Sequence, residues 1–139
     1  MEDFDRRVRD SFAQQQFMAT LGASVSVSGE GNVEIEFPYH ASLTQQNGFV
    51  HAGAITSILD SACGYAALSV VPQGCDVLSV EFKTNLLAPA VGDRFVARAT
   101  VKRAGKTLIV CSADCFAQKD GNEKIIATML GTIMVIQPK

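Results

Sequence analysis

The sequence predicts an α+β fold, in which a six-stranded antiparallel sheet wraps around one long central helix and a further helix precedes the sheet. Two observations lead to this prediction. Stretches that alternate apolar and polar residues recur between short turns, and one helical stretch is apolar on nearly every side. The chain has 139 residues, of which 47% are hydrophobic and 19% charged. A single domain, residues 1–139, is therefore expected, with a core that needs no disulfide or metal.

Composition and charge argue against several classes of protein. The 12 basic and 14 acidic residues give a net charge of −2, so no nucleic-acid partner is expected. The first ten residues mix acids with arginines and lack the apolar run of a signal peptide. Residues 49–75 reach membrane-spanning length, but they are rich in small residues and carry Asp60, which would be costly in lipid. We therefore expect no membrane partner and a cytoplasmic location.

The first third of the chain reads as a helix followed by a hairpin. Residues 2–19 are predicted to form one amphipathic helix that ends at Gly22. Its apolar stripe comprises Phe4, Val8, Phe12 and Met18. Two alternating runs, residues 23–28 and 32–37, flank a Gly-Glu-Gly turn and predict a β-hairpin. A polar loop with an Asn-Gly turn signal follows at residues 39–50.

The remaining elements are the central helix and four strands. Residues 51–71 predict a buried helix that Pro72 closes. One stripe of this helix comprises Ile55, Ile58, Ala62, Tyr65 and Ser69. Strands are predicted at residues 77–87, 94–101, 106–117 and 123–136. Because the turns between them are short, these four strands are expected to form an antiparallel meander.

The cysteines indicate neither a metal site nor a disulfide framework. They stand at positions 63, 75, 111 and 115 without a CxxC pair, and the two histidines are far in sequence from the pair at 111 and 115. No zinc site is expected. Cys111 and Cys115 are four residues apart on a predicted strand, so both point to one face. The expected state is free, buried thiols in a reducing compartment.

Asp60 is the foremost candidate for chemistry. It is the sole formal charge in residues 49–75, and a carboxylate within an apolar helix is costly unless it is paired. Its structural interpretation is that it points to a polar edge or caps a neighbouring element. Its functional interpretation is a general base or a nucleophile.

The start of the same helix is the second candidate. The first backbone N–H groups of a helix lack partners within it and can polarise a carbonyl, while Ala52 and Gly53 are small enough to let a substrate approach. Ala52 and Asp60 are eight residues apart, which is roughly 12 Å along a helix. If both act on one bond, Asp60 must come from a second copy of the chain. The spacing thus predicts an active site at a two-fold dimer interface.

Other nucleophiles and bases are weaker candidates. His51 is interpreted as a helix-start residue that bonds the loop, with general base as the alternative. Ser57 and Ser61 lack a GxSxG turn, and Cys63 has no histidine nearby in sequence. Residues 83–106 contain six basic residues against one acid, which indicates either solvated strand faces or a phosphate site.

Several segments of the sequence resemble the motifs of a known family. The segments GFVHAG at residues 48–53 and LDSA at 59–62 resemble the G-x-x-H-G-G…D-x-A signature of hotdog-fold acyl-CoA thioesterases. The closest branch is the PaaI-type thioesterases of phenylacetate degradation, and 4-hydroxybenzoyl-CoA thioesterases are related to it. The resemblance runs from about residue 20 to the end. Further matching segments are SVEF at 79–82, NLLAP at 85–89 and RAGKT at 103–107.

The resemblance implies a hotdog fold, dimers or tetramers of the chain, no metal, and no cofactor besides the coenzyme A of the substrate. It implies that Asp60 is the nucleophile or general base and that the Ala52 amide polarises the thioester carbonyl. Gln45 and Ser79 would orient water or thioester. Arg103 and Lys106 fall where family members contact the phosphates of CoA. At the helix start and in its turn, the expected substrate-binding residues are His51, Gly53 and Asn47.

Two positions depart from the family pattern. Ala52 stands where a second glycine is usual, and Gln45 stands where many members have asparagine, which leaves Asn47 as a rival for the polar role. The expected reaction is hydrolysis of an aryl- or medium-chain acyl-CoA to a free acid and CoA. The alternatives are a non-catalytic acyl-CoA-binding protein and a hotdog dehydratase, whose His/Asp or His/Glu arrangement is not found here.

Overall fold

A computed structural model describes residues 2–139 as helices followed by a single curved sheet. The helices are α1 (Asp3–Gln14), α2 (Gln16–Thr20) and α3 (Ala52–Leu68), and a short 3₁₀ helix lies at Ala41–Leu43. The strands are β1 (Ser24–Gly29), β2 (Asn32–Pro38), β3 (Asp76–Leu86), β4 (Arg94–Ala104), β5 (Leu108–Lys119) and β6 (Asn122–Ile136). The predicted fold class, a hotdog fold, is confirmed.

The strand order corrects one prediction. All pairs are antiparallel and the order is β1-β2-β4-β5-β6-β3, so β3 pairs with β6 and not with β4. The predicted meander is therefore wrong for its first strand and holds for β4, β5 and β6. Short turns join those three, whereas residues 87–93 carry the chain from one edge of the sheet back to its middle, where β4 pairs with β2. A short connection alone does not show that two strands pair.

The core lies between α3 and the concave face of the sheet. Strands β2 and β5 alternate buried and half-buried residues, so each has one face against the helix. Helix α3 contacts β2, β3, β4, β5 and β6. The predicted stripe of α3, which comprises Ile55, Ile58, Ala62, Tyr65 and Ser69, is buried throughout. A helix apolar nearly all round is buried here because the sheet curls about it.

The N-terminal helix is not continuous. The prediction of one helix over residues 2–19 is wrong at Gln15, whose extended backbone (φ −83°, ψ 98°) separates α1 from α2. Residues 11–20 contain neither glycine nor proline, so tertiary contacts and not a helix-breaking residue hold this break. Gly22 ends the segment as predicted, with a positive φ of 71°.

Three of the four cysteines are fully buried, as expected, and Cys75 is only half-buried. Cys111 and Cys115 share the concave face of β5, and burial raises the pKa of both thiols to about 12. All four thiols are free. Within residues 2–139, no helix is both long enough and apolar enough to cross a membrane.

Candidate active site

A cavity of about 620 Å³ opens at the start of α3. The loop before the helix lines it with Gln45, Phe49, His51 and Ala52, and the segment after β3 lines it with residues 86–90. The wall is mostly apolar, and its polar groups are concentrated at the helix start. This cavity brings together three of the predicted site residues, namely Gln45, His51 and Ala52.

His51 is the N-cap of α3, which agrees with its interpretation as a helix-start residue. Its ring Nδ1 accepts a hydrogen bond from the Gly53 N–H at 2.7 Å, so the proton of the neutral ring lies on Nε2. A Cβ at position 53 would lie 2.9 Å from that Nδ1. Glycine at position 53 is therefore required for the histidine cap, and its amide is engaged by the protein itself.

The Ala52 amide is the free donor of this helix start. The N–H groups of Ala54 and Ile55 donate to the His51 carbonyl, while the Ala52 N–H has no acceptor within residues 2–139. Ala52 lines the cavity, so this donor is available to a ligand there. The positive end of the helix dipole strengthens its interaction with a partial negative charge.

Gln45 builds the turn that carries the helix start. Its Oε1 accepts hydrogen bonds from the backbone N–H groups of Asn47 at 2.6 Å and Phe49 at 3.3 Å. These bonds fold residues 45–49, and the side-chain amino group of Gln45 has no acceptor in the described part of the chain. Asn47, the rival for the polar role, lies outside this cavity and lines a separate depression with Tyr39.

A second cavity, of about 300 Å³, contains Asp60 and Ser79. Asp60 is half-buried on α3, and its Oδ1 accepts a hydrogen bond from Ser79 Oγ at 2.7 Å. Ser79 lies on β3 directly before a bulge at which the register shifts between Ser79 and Glu81. A bulge re-aims the side chains beside it, and this one keeps both Ser79 and the following Phe82 on the concave face. The arrangement is a carboxylate with one oxygen held by a hydroxyl.

The other nucleophile candidates have structural roles. Burial raises the pKa of the Cys63 thiol well above its usual range, and Cys111 and Asp60 raise it further, so Cys63 remains a protonated thiol. Ser57 Oγ donates to the Gly53 carbonyl at 2.7 Å, and Ser61 Oγ donates to Gln15 Oε1 at 3.1 Å. Across residues 2–139, no three His, Cys, Asp or Glu side chains form a group that could hold a metal ion.

The basic stretch divides into paired and exposed residues. Arg94 Nη1 lies 3.0 Å from Glu36, and Arg98 bonds Glu123 at 2.6 Å. Hydrogen bonds from Arg98 and Gln118 lower the pKa of Glu123 to about 2. These arginines support the outer face of the sheet. By contrast, Arg103 near the end of β4 and Lys106 in the β4–β5 turn are exposed, and both lie outside the two cavities.

Sequence reasoning missed one wall of the Asp60 cavity. Ser11 and Gln15 line it from the N-terminal segment, and Tyr65 lines it from α3. The helical spacing of Tyr65 predicts a place in the core stripe, and its ring is buried. The repeated glutamines at positions 14–16 carry no pattern that distinguishes Gln15 from its neighbours.

The chain is similar to known proteins in sequence and in structure. The model of the Thioesterase superfamily matches residues 47–124, which include both the helix start and Asp60. A protein of Saccharolobus solfataricus named "Putative esterase" is 30% identical over 140 residues, spanning 100% of this chain and 97% of that protein.

Solved structures show the same fold. A thioesterase family protein from Silicibacter pomeroyi is 51% identical, with a TM-score of 0.94 over 96% of this chain and 98% of its own. The PaaI protein from the phenylacetic acid degradation operon of E. coli has a TM-score of 0.86 at 21% identity, over 99% of both chains. The latter likeness is one of fold.

Proposed function

The chain belongs to the thioesterase superfamily and is a hydrolase that acts on thioester bonds, and we propose that its substrate is an acyl-CoA, which it cleaves to a free acid and CoA. The observation that carries this proposal is the pair of complementary groups on α3. One is a helix-start amide without an acceptor, and the other is a carboxylate held by a hydroxyl.

The Ala52 amide would stabilise the oxyanion. As the carbonyl carbon becomes tetrahedral, negative charge develops on its oxygen, and a fixed N–H at the positive end of a helix is suited to receive it. The free amino group of Gln45 lies in the same cavity and would orient the thioester or the water. His51 and Gly53 then act indirectly, because their mutual hydrogen bond fixes the backbone that presents the Ala52 amide.

Asp60 would begin the reaction in one of two ways. As a general base, it takes a proton from water whose oxygen bonds the carbonyl carbon. As a nucleophile, it bonds that carbon itself, and water then hydrolyses the anhydride. In both cases the C–S bond breaks and CoA leaves as a thiol. Its sulfur takes a proton from the protonated Asp60 in the first case and from the solvent in the second. Ser79 keeps the carboxylate oriented and would assist the water.

The complete site would require two copies of the chain. Ala52 and Asp60 line different cavities of one chain, which supports the dimer that their spacing predicts. Strand β3 carries Ser79 and lies at the edge of the sheet, with no further partner strand in residues 2–139. Its side chains Leu78, Val80 and Phe82 are 62%, 52% and 44% exposed. An edge strand this apolar is suited to pairing with its symmetry mate.

Exposed side chains support two further proposals, the association of two dimers and the binding of CoA phosphates. Exposed apolar residues on the outer face of the sheet support a dimer of dimers, that is, a homotetramer; they are Leu78, Leu108, Leu130 and Met134. Arg103 and Lys106 are exposed cations that form no ion pair with any residue in 2–139, unlike Arg94 and Arg98, and they would bind the phosphates of CoA.

A complementation experiment tests the shared site. Ala52→Pro removes the N–H, and proline fits the first position of a helix, where His51 already has the extended backbone that precedes proline. Asp60→Asn removes the carboxylate. Each variant alone is expected to be inactive. In a randomly assembled mixture, half of the dimers combine the two chains and keep one intact site of two, so about a quarter of wild-type thiol release should return.

A control and a contradicting result complete the design. Mixing Ala52→Pro with a chain that carries both substitutions should restore nothing, because no dimer then has an intact site. If the mixture of single variants also stays inactive while size measurements show mixed dimers, both groups act within one chain and the shared site is wrong. Absence of thiol release by the folded wild type across aryl and aliphatic acyl-CoAs would refute the acyl-CoA substrate.

A further inference from the structure

His51 joins the preceding loop to the start of α3 through three sets of contacts. Its backbone N–H donates to the Leu43 carbonyl at 2.8 Å, and its own carbonyl accepts from Ala54 and Ile55. Its ring Nδ1 accepts from the Gly53 N–H at 2.7 Å. The first two contacts are made by backbone atoms alone, so the bond to Gly53 is the one that depends on the state of the imidazole ring.

The bond between His51 and Gly53 exists in one protonation state of the ring. Nδ1 accepts a hydrogen bond only while it carries no proton, that is, in the neutral ring with its proton on Nε2. In the protonated ring both nitrogens carry a proton, so Nδ1–H and the Gly53 N–H would be two donors facing each other at 2.7 Å. The added positive charge would also lie at the positive end of the helix dipole. Protonation and the cap therefore exclude each other.

The ring is open to solvent and has no charged neighbour in the lining of its cavity. His51 and Gly53 are both exposed, so water reaches the ring. The loop before the helix, α3, the segment after β3 and β6 all line this cavity, and His51 is its one titratable residue within 2–139. The nearest charged residues on those last three elements, Asp60, Asp93 and Lys124, line other cavities. In the proposed dimer, Asp60 of the other copy would face this cavity and attract the protonated ring.

The cap fixes the backbone that presents the Ala52 amide. Ala52 lies between the two residues that the bond joins, so the bond closes a ring of atoms around its peptide group. A Cβ at position 53 would lie 2.9 Å from Nδ1, which shows how closely the imidazole packs on this backbone. Two facing donors cannot keep this spacing, so the turn at residues 51–53 has to open. An oxyanion donor is effective only when it is held in place beforehand, and its contribution falls once the turn opens.

We propose that His51 is a positioning residue that places the hydrolysis under the control of pH: its neutral ring holds the Ala52 amide in place, and protonation of the ring releases that amide. This inference rests on the proposed acyl-CoA hydrolysis, because it names the regulation of the same site. Activity is present while the ring is neutral and is lost as the pH falls through the range in which the ring takes up its proton. His51 acts through Ala52 and takes no part in the proton transfers at Asp60.

Three variants separate capping from titration. His51→Asn keeps an acceptor at the N-cap, where asparagine is among the preferred residues, but cannot be protonated. His51→Ala removes the acceptor at every pH. His40→Asn is the matched control, because His40 caps the 3₁₀ helix with the same ring atom, which accepts from the Ser42 N–H at 3.1 Å, and lies outside both cavities. The measured quantity is kcat/KM for one acyl-CoA, which reports the ionisations of the free enzyme.

The pH profiles are expected to differ in shape. From pH 8 to pH 5, the range in which histidines titrate, kcat/KM of the wild type and of His40→Asn should fall by at least about tenfold. That of His51→Asn should fall by about threefold or less, because ordinary carboxylates titrate below this range. His51→Ala should be about tenfold less active already at pH 8, with little further change. A purely structural role of His51 would lower activity without changing the shape of the profile.

A measurement that needs no activity separates this inference from the function on which it rests. In the NMR spectrum of the wild type, the Gly53 amide resonance should shift with the same midpoint as the His51 ring. If thiol is released but His51→Asn keeps the wild-type acid limb, or if the Gly53 resonance stays unchanged while the ring titrates, the inference is overturned and the hydrolysis stands. If no thiol is released at any pH although the Gly53 resonance shifts, the proposed function fails and its control by pH fails with it. Should His51→Asn not fold, His51→Ser supplies another N-cap acceptor and is judged by the same criterion.

Discussion

The two cavities of α3 differ in what they offer a substrate. The cavity at the helix start is the larger, at about 620 Å³, and joins apolar walls to a free backbone amide. The Asp60 cavity is half that size, at about 300 Å³, and is lined by hydroxyls, an amide and two carboxylates as well as by Leu68, Val77 and Leu78. One contains the group that can stabilise an oxyanion, and the other contains the group that can attack. In the proposed reaction, neither cavity alone would be an active site.

The two cavities lie at the only parts of α3 that the sheet does not enclose within residues 2–139. Helix α3 is enclosed by the sheet, so its interior stretch must be apolar and only its start and one exposed face can carry functional groups. The Ala52 amide and Asp60 lie at these two places and line separate cavities. The proposed dimer would bring the start of one helix to the exposed face of another. Substitutions that remove one functional group from either cavity test the role proposed for that cavity.

Removal of the Asp60 carboxylate should have the largest effect. Asparagine retains the shape and the bond to Ser79 but can neither take a proton nor attack effectively, so kcat is expected to fall by about 10³- to 10⁴-fold. Thermal unfolding should occur near the wild-type temperature. Thiol release from an acyl-CoA measures the activity, with a protein blank because the half-buried Cys75 can react with the reagent. Near-normal turnover would remove Asp60 from the mechanism.

Removal of the Ala52 N–H should have the next largest effect. We expect Ala52→Pro to lower kcat by about 10²- to 10³-fold, since one oxyanion donor is lost. The matched control is Ala52→Gly, which keeps the N–H and should retain most of the activity. Steady-state kinetics on both variants distinguish a lost donor from a disturbed helix start. Equal losses in the two variants would contradict a specific role for this amide.

Loss of the Ser79 hydroxyl should have the smallest effect of the three. Ser79→Ala leaves the Asp60 carboxylate in place but unheld, and a hydrogen bond to a charged group corresponds to about a tenfold change in rate. Ser79→Thr restores a hydroxyl on a strand position that accepts β-branched residues, and should recover part of the rate. Activity of Ser79→Ala equal to that of the wild type would show that the 2.7 Å bond does not assist catalysis.

Two candidate site residues could be predicted, because a lone charge in an apolar helix and a helix start with small residues differ from their surroundings in sequence. Asp60 is the sole formal charge in an apolar helix, and the eight-residue spacing predicts its separation from Ala52. The role of Gly53 was not predictable. A helix start with any small residue looks similar in sequence, and only the position of the His51 ring shows that a Cβ would not fit.

The fold was predictable to a similar degree. Period-two alternation and turn residues identified six strands and the class of the fold, because burial of one sheet face is a local property of each strand. The order of the strands in the sheet is not a local property and could not be predicted in the same way. The pairing of β3 with β6, and not with β4, depends on which edges meet once α3 is enclosed, and no residue in the connecting segment encodes it.

The sequence by itself determined which residues are apolar and where most of the elements lie, and its spacing predicts that Asp60 and the helix start act together only across a dimer. Those properties follow from spacing and local preference. The tertiary structure decided which groups meet: the bulge that turns Ser79 to Asp60, the break that brings Gln15 against Tyr65, and the edge position of β3. Such contacts join residues 19 and 50 positions apart, and their geometry exists only after the sheet has closed around the helix.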